Sequence, residues 1–341
     1  MRRLIPSFAV LTLAIAGCGV GEDAGTAGES SEGQLRAVAA VYPLAWMAEE
    51  IAPDVEIEFL GSGSAEAHEL ELTPGQREAL ETSDVVLYMG DIGYQSQVED
   101  AAGAAGGEIV DVSEVAGEDR MLAASEDAHA HAEEEGGHSE EEEEHAEGEE
   151  EHAEEGGHAE EESTEGALDP HVWFDASIMA EVALRTGEAF AAADPDNAET
   201  YTGNAERVSE ELMASHGEIE QLLSQACQFE EAIVSHAAYG YLLEPFGYTQ
   251  HAVVGVTSGE AGASGGELAE IVAEIEEEGF EYVLAEPVEG RADAEAVVGE
   301  TGTEMLDIFP LDVVSEEQME QGYPALLQEQ AEAFSTALNC T

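Results

Sequence analysis

Apolar residues recur along this chain at two spacings, and the alternation between the two lays out its architecture. Residues 35–41 form a β-rich apolar run. Leu44, Met47, Ala48 and Ile51 follow at helical spacing, with Pro43 placed where a first helical residue needs no N–H donor. Residues 55–59 alternate apolar and acidic, the pattern of a strand. After a turn bearing Gly61 and Gly63, and then His68, Pro74 opens a short helix. Residues 84–88 read as a buried strand, 95–105 as a helix and 108–112 as a fourth strand. Strands alternating with helices predict a parallel sheet with helices on both faces.

The pattern breaks at residues 121–165 and then resumes. Ile178, Val182, Ala183, Ala189 and Phe190 keep helical spacing, and Asp194-Pro195 marks a break. Residues 197–226 read as one long helix with Tyr201, Val208, Leu212, Ile219, Leu222 and Leu223 toward the protein. At roughly 1.5 Å per residue it spans about 45 Å, the full height of a two-lobed protein. The second half repeats the first: strands at 231–235 (ending at His236), 251–256, 282–285 and 305–309, and helices at 239–246, 268–278, 292–300 and 323–338. The expected fold is α/β, two similar lobes with parallel sheets flanked by helices, bridged by one long rigid helix. The lobes fall at residues 34–196 and 227–341, with 197–226 as the connecting helix.

Composition changes the picture in two ways. With 79 acidic residues against 8 basic ones, all arginine, the chain would repel phosphate backbones, so nucleic acid is excluded as a partner. Such a surface suits high salt, where self-repulsion is screened. Twenty of the acidic residues lie between Glu126 and Glu165, amid six histidines (129, 131, 138, 145, 152 and 158). So many like charges predict a solvated, flexible loop. It reads as a weak collector of transition metals or simply as an acidic insert.

The N-terminus has the layout of an export signal: Arg2-Arg3, then an apolar run over residues 4–16 that is too short for an ordinary spanning helix. Its end, Ile15-Ala16-Gly17-Cys18, resembles the lipobox of bacterial lipoproteins. That resemblance implies cleavage before Cys18 and a lipid on its sulfur; a plain secretory signal is the alternative. Residues 19–33 look like a flexible tether, so that 1–33 are signal and tether. Cys227 and Cys340 remain as a pair in an oxidising compartment. They can close a disulfide, stay as free thiols or, less readily, ligate a metal.

Three histidines share a placement. His68 lies in a loop after a strand, His171 in the turn before the connecting helices, and His236 at the end of a strand. Ligands of open parallel sheets bind outside the carboxyl ends of the strands, so these imidazoles can converge between the lobes. Imidazole nitrogen suits zinc. His216, mid-helix beside Gly217, is expected to face solvent, and His251, at the start of a strand, to be structural.

Five stretches carry a family resemblance. They are Tyr42-Pro43-Leu44-Ala45, Ala67-His68-Glu69-Leu70-Glu71-Leu72-Thr73-Pro74, Asp169-Pro170-His171-Val172-Trp173-Phe174-Asp175, Ser235-His236-Ala237-Ala238-Tyr239-Gly240-Tyr241 and, more weakly, Leu284-Ala285-Glu286-Pro287. From about residue 35 to its end the chain resembles the metal-specific solute-binding proteins of bacterial ABC importers, in particular the zinc-binding branch, which also has a His/acid-rich insert before the second histidine. The resemblance implies metal held between two lobes with little hinge motion, and His68, His171 and His236 as its ligands. His at the third position marks the zinc branch, since manganese-binding relatives usually carry Glu there. The family's Asp-Pro-Leu reads Phe309-Pro310-Leu311 here. The fourth ligand is therefore left among Asp307, Asp312, Glu286 and water.

The expected function is that of an extracytoplasmic, lipid-anchored, monomeric receptor. It would deliver Zn²⁺ to an ABC permease and would not be an enzyme. Alternatives are a manganese or iron receptor of the same family, a surface metal buffer or adhesin, and a three-histidine zinc hydrolase. The last needs a general base, and the sequence has no His-Glu-x-x-His motif.

Overall fold

Among the described residues, the apolar runs form eight short strands in two parallel sheets. The computed structural model describes residues 35–61, 67–68, 70–124, 167–254 and 263–341. Cys18, the export signal, the tether and the six histidines of the acidic stretch lie outside them. The first sheet contains β1 (Arg36–Ala39), β2 (Glu56–Phe59), β3 (Val85–Tyr88) and β4 (Glu108–Asp111) in the order β2-β1-β3-β4. The second contains β5 (Glu231–His236), β6 (Thr249–Val254), β7 (Tyr282–Ala285) and β8 (Glu304–Asp307) in the order β6-β5-β7-β8. All pairings are parallel, and the two halves share one strand order. Central β3 is buried at every position because both its faces are covered, whereas edge strand β2 exposes Glu56 and Glu58 in alternation.

The helices of the first half are α1 (Tyr42–Ile51), α2 (Pro74–Thr82), α3 (Ser96–Ala102), α4 (Val112–Ala116) and α5 (Ala176–Ala193). Local chemistry sets their starts. Thr73 and Gln76 form a capping box on α2, and the Asp175 carboxylate accepts from the Ser177 and Ile178 amides at the head of α5. The expected strand 108–112 stops at Asp111, whose carboxylate accepts from the Glu114 amide and starts α4, a helix the apolar pattern does not reveal.

The connecting helix is α6 (Ala198–Leu223), 26 residues and about 39 Å long, shorter at both ends than the pattern suggests. Residues 195–197 form a separate 3-10 turn. The second half adds α7 (Gly240–Leu243), α8 (Gly265–Glu278), α9 (Arg291–Thr301), α10 (Glu316–Met319) and α11 (Tyr323–Ala337). The helix expected over 239–246 divides because Pro245 lacks an N–H, leaving Glu244–Phe246 as a 3-10 turn.

One stripe of α6, Tyr201, Ala205, Val208, Leu212, Ser215, Ile219 and Leu223, is buried against α1 and α5 on one side and α11 on the other. Both sheets therefore pack into one continuous core. Polar contacts reinforce the join: Trp173 Nε1 donates to the Pro310 carbonyl at 2.7 Å, and the Tyr42 amide to the Asp312 carbonyl at 2.9 Å. Cys227 and Cys340 are joined as a disulfide, fastening the end of α6 to the C-terminus.

Gly187 permits the close approach of α5 and α6. A Cβ there would lie 2.4 Å from Ala205 Cβ and 3.2 Å from the Tyr201 carbonyl. Gly187→Val should force the two helices apart at a cost of about 1–3 kcal/mol, read as a lowered midpoint in thermal unfolding. An unchanged midpoint would show that this contact adapts freely.

Candidate metal centre

Three elements far apart in sequence deliver one imidazole each to the space between the sheets. His236 is the last residue of β5, and Glu286 follows β7 directly. β5 and β7 are the neighbours from which the strand order runs in opposite directions, so these two side chains flank the crevice that an open α/β sheet offers to ligands. His171 sits in the turn before a 3-10 helix at Val172–Phe174. His68 comes from the segment after β2, where the Gln95 side chain donates to the Ala67 carbonyl at 3.0 Å.

The three ring nitrogens lie within 4.8 Å of one another. The ring centroids of His171 and His236 are 5.1 Å apart, those of His68 and His171 5.3 Å, and those of His68 and His236 5.7 Å. His171 and His236 are wholly buried and His68 is half-buried, so the cluster faces outward on the His68 side. Tyr94 packs edge-on to His68 and Trp173 to His171, giving the cluster an aromatic wall.

Hydrogen bonds aim the lone pairs. His171 Nδ1 lies 2.7 Å from Asp169 Oδ1, which also accepts from the His171 amide at 2.9 Å. A proton held on Nδ1 leaves Nε2 as the acceptor, and that Nε2 lies 3.3 Å from His68 Nε2. His236 repeats the device: its Nδ1 is 3.3 Å from Glu286 Oε1 and from Glu289 Oε2, and its buried Nε2 has no hydrogen-bond partner among the described residues. Tyr239 holds Glu286 in place by donating to Oε1 at 2.8 Å. Buried polar atoms rarely stay without a partner, so inward-facing imidazole nitrogens point to a cation between them.

The electrostatics divide the three rings. Burial, and then the neighbouring His171 and His236, push His68 down to about 2. Burial likewise holds His171 well below the ordinary imidazole range, with His236 adding to it. For His236 burial also disfavours a charge, but Glu286, Glu289 and Asp312 outweigh it and push its pKa up to about 9. Burial raises Asp169 to about 7 and Asp312 to about 6. His68 and His171 are thus neutral rings ready to donate lone pairs, and His236 is the ring whose proton a divalent cation would have to displace.

The candidates for a fourth ligand separate clearly. Asp307 does not belong to the pocket: it is exposed on edge strand β8 and pairs with Arg291 at 2.6 Å, which corrects its candidacy. Asp312 is buried and accepts from the Tyr94 hydroxyl at 3.2 Å. Leu311 before it adopts a left-handed conformation (φ 66°), turning the chain inward. Glu286 is buried on the Nδ1 side of His236. Sequence reading missed Glu289, which joins His236 and Glu286 in a second cluster, and it missed the orienting part of Asp169. The Asp-x-His spacing was the available signal for the latter. His216 is half-exposed. His251 lies inside β6 rather than at its start, and Glu231 and Glu274 surround it.

Asp169→Asn keeps the shape and removes the anionic acceptor that fixes the His171 tautomer. Loss of such a partner costs about 10–100-fold in metal affinity. Competition with a chromophoric zinc chelator should show a loss in that range, and full affinity in the variant would dismiss the orienting role.

Comparison with known proteins places this geometry among relatives. The family model described as the periplasmic component A of a zinc-uptake complex (ZnuA) matches residues 37–337. The zinc-binding protein AdcA of Streptococcus pyogenes is 25% identical over 293 residues, covering 86% of this chain but 53% of AdcA, so the chain spans about half the length of that relative. The high-affinity zinc uptake system protein ZnuA of Bacillus subtilis is 25% identical over 338 residues, covering 97% of this chain and 96% of that one. In fold, the periplasmic zinc binding protein TroA of Treponema pallidum superposes with a TM-score of 0.70 at 17% identity, over 90% of this chain and 99% of TroA.

Proposed function

The chain belongs to the family of periplasmic zinc-uptake components, and from that premise we propose that it is an extracytoplasmic receptor that captures Zn²⁺ between its two sheets and delivers it to an ABC permease. The observation that carries this reading is the convergence of His68, His171 and His236, with their ring nitrogens within 4.8 Å of one another. Three imidazoles, all neutral once zinc displaces the proton on His236, are a donor set suited to zinc, and they disfavour manganese, which prefers oxygen.

Among the described residues no carboxylate joins the three imidazoles in one cluster, while Glu286 and Glu289 occupy the Nδ1 side of His236. We place water in the fourth position, with buried Asp312, whose charge acts on His236, as the carboxylate that could replace it. An open position also suits a receptor that must release its cargo. A lipid on Cys18 would keep the protein at the membrane surface, near the permease it loads, with residues 1–33 as signal and tether. The lobes span residues 34–196 and 227–341, and the acidic stretch at 121–165 supplies weakly held metal to the cleft.

Uptake of ⁶⁵Zn by cells growing in scarce zinc tests this reading. Deleting the gene should abolish high-affinity uptake, and the His171→Ala gene should fail to restore it. A gene lacking residues 121–165 should restore it only in part. Full uptake without the protein would contradict the receptor function, and full restoration by the deletion variant would remove the loop from it.

A further inference from the structure

At the opposite end of the second sheet lies another set of metal-ligating side chains. Glu231 opens β5 and stands five residues, roughly 16 Å along an extended strand, from His236. His251 of β6 pairs in register with Ile233, so Glu231 and His251 project from the same face of the sheet. Glu274 reaches them from α8, one residue before buried Ile275. One ligand atom from each of the three lies within 4.8 Å of the others.

The arrangement is built rather than incidental. His251 is 7% exposed, and its Nδ1 is 2.6 Å from Glu274 Oε2. Burial, and then the facing Glu274, hold the Glu231 carboxyl above its ordinary value. Two carboxylates facing one imidazole present three donor atoms to a single point. They open onto a cavity of about 910 Å³ whose wall also carries Glu230, Glu270, Glu277 and Glu278 and no arginine. That negative wall concentrates cations and gives them a way in.

We infer that Glu231, His251 and Glu274 form a second divalent-cation site, remote from the cleft, that clamps α8 to β5 and β6. One imidazole and two carboxylates are harder donors than three imidazoles, so this site accepts Mn²⁺ as well as Zn²⁺ and discriminates less than the cleft.

The full chain and its Glu231→Gln and Glu274→Gln variants are dialysed separately against Zn²⁺ and Mn²⁺, and bound metal is counted by elemental mass spectrometry. Each variant should hold one equivalent less than the unaltered protein, and anomalous scattering from Mn²⁺-soaked crystals of the unaltered chain should peak between the three side chains. Chelator competition for the tightest zinc should be unchanged in Glu231→Gln, which separates this site from the cleft. Equal metal counts and no peak would overturn the inference. If Glu274→Gln then only lowers the Tm, Glu274 and His251 are an ion pair that holds the helix.

Discussion

Replacing His171 with alanine should cost this protein on the order of 100-fold in zinc affinity. Zinc sites with four protein ligands bind with about 10–16 kcal/mol, so one ligand's share is about 2.5–4 kcal/mol, a factor on the order of 100. The loss at this position should exceed that at His68. His171 is wholly buried, its tautomer is fixed by Asp169, and its Nε2 faces the centre of the cluster, whereas half-buried His68 is partly open to solvent and to water as a substitute. The alanine variant also leaves Asp169 buried without its imidazole, so the measurement pairs chelator competition with a thermal melt. A folded variant with unchanged affinity would show that His171 is not a ligand.

The second large effect is on pH. With its pKa pushed up to about 9 by the surrounding carboxylates, His236 carries a proton at neutral pH in the empty protein. Zinc binds only the neutral ring, so capture must expel that proton. The sign follows: below about pH 9 each unit of acidification lowers affinity about tenfold, and above it the dependence levels off. Near pH 7 the slope should steepen, because Asp169, raised to about 7, begins to take up a proton and weakens its hold on His171. Calorimetry at pH 7.5 in buffers of different ionisation enthalpy should register about one proton released per zinc. Glu286→Gln, which removes the charge nearest His236, should flatten the dependence between pH 7.5 and 8.5. Affinity that is level with pH across that range would rule out a protonated His236 in the empty pocket.

Much of this could be read in the chain itself, and the parts that could not share a physical reason. Period-2 and period-3.6 patterns report which faces are apolar, so the alternation of strands and helices, the long α6, and the placement of His68 in a loop after a strand, His171 in the turn before the helices and His236 at a strand end were legible. Contacts between elements were not. Asp307 and Asp312 stand five residues apart and look alike in sequence. One faces out from an edge strand toward Arg291, and the other is turned inward by the left-handed Leu311. Glu289 offers no motif, because it reaches His236 only once β7 lies beside β5. Short helices such as α4 escape for a different reason: a five-residue helix started by one Asp cap is too short to show a period. That Glu231 and Glu274 meet beside His251 was likewise not legible, since neither the register of β6 on β5 nor the face α8 presents to them is written in any single stretch.

The central claim is that one zinc sits between the sheets on three imidazoles. Diffraction at the zinc absorption edge, from crystals of the chain loaded with a single equivalent, tests it most directly. The account predicts one dominant anomalous peak about 2.0–2.1 Å from Nε2 of His171 and Nε2 of His236 and from a ring nitrogen of His68, with a water completing the tetrahedron. A dominant peak anywhere else, or a cleft ion that bypasses any one of the three histidines, would contradict it.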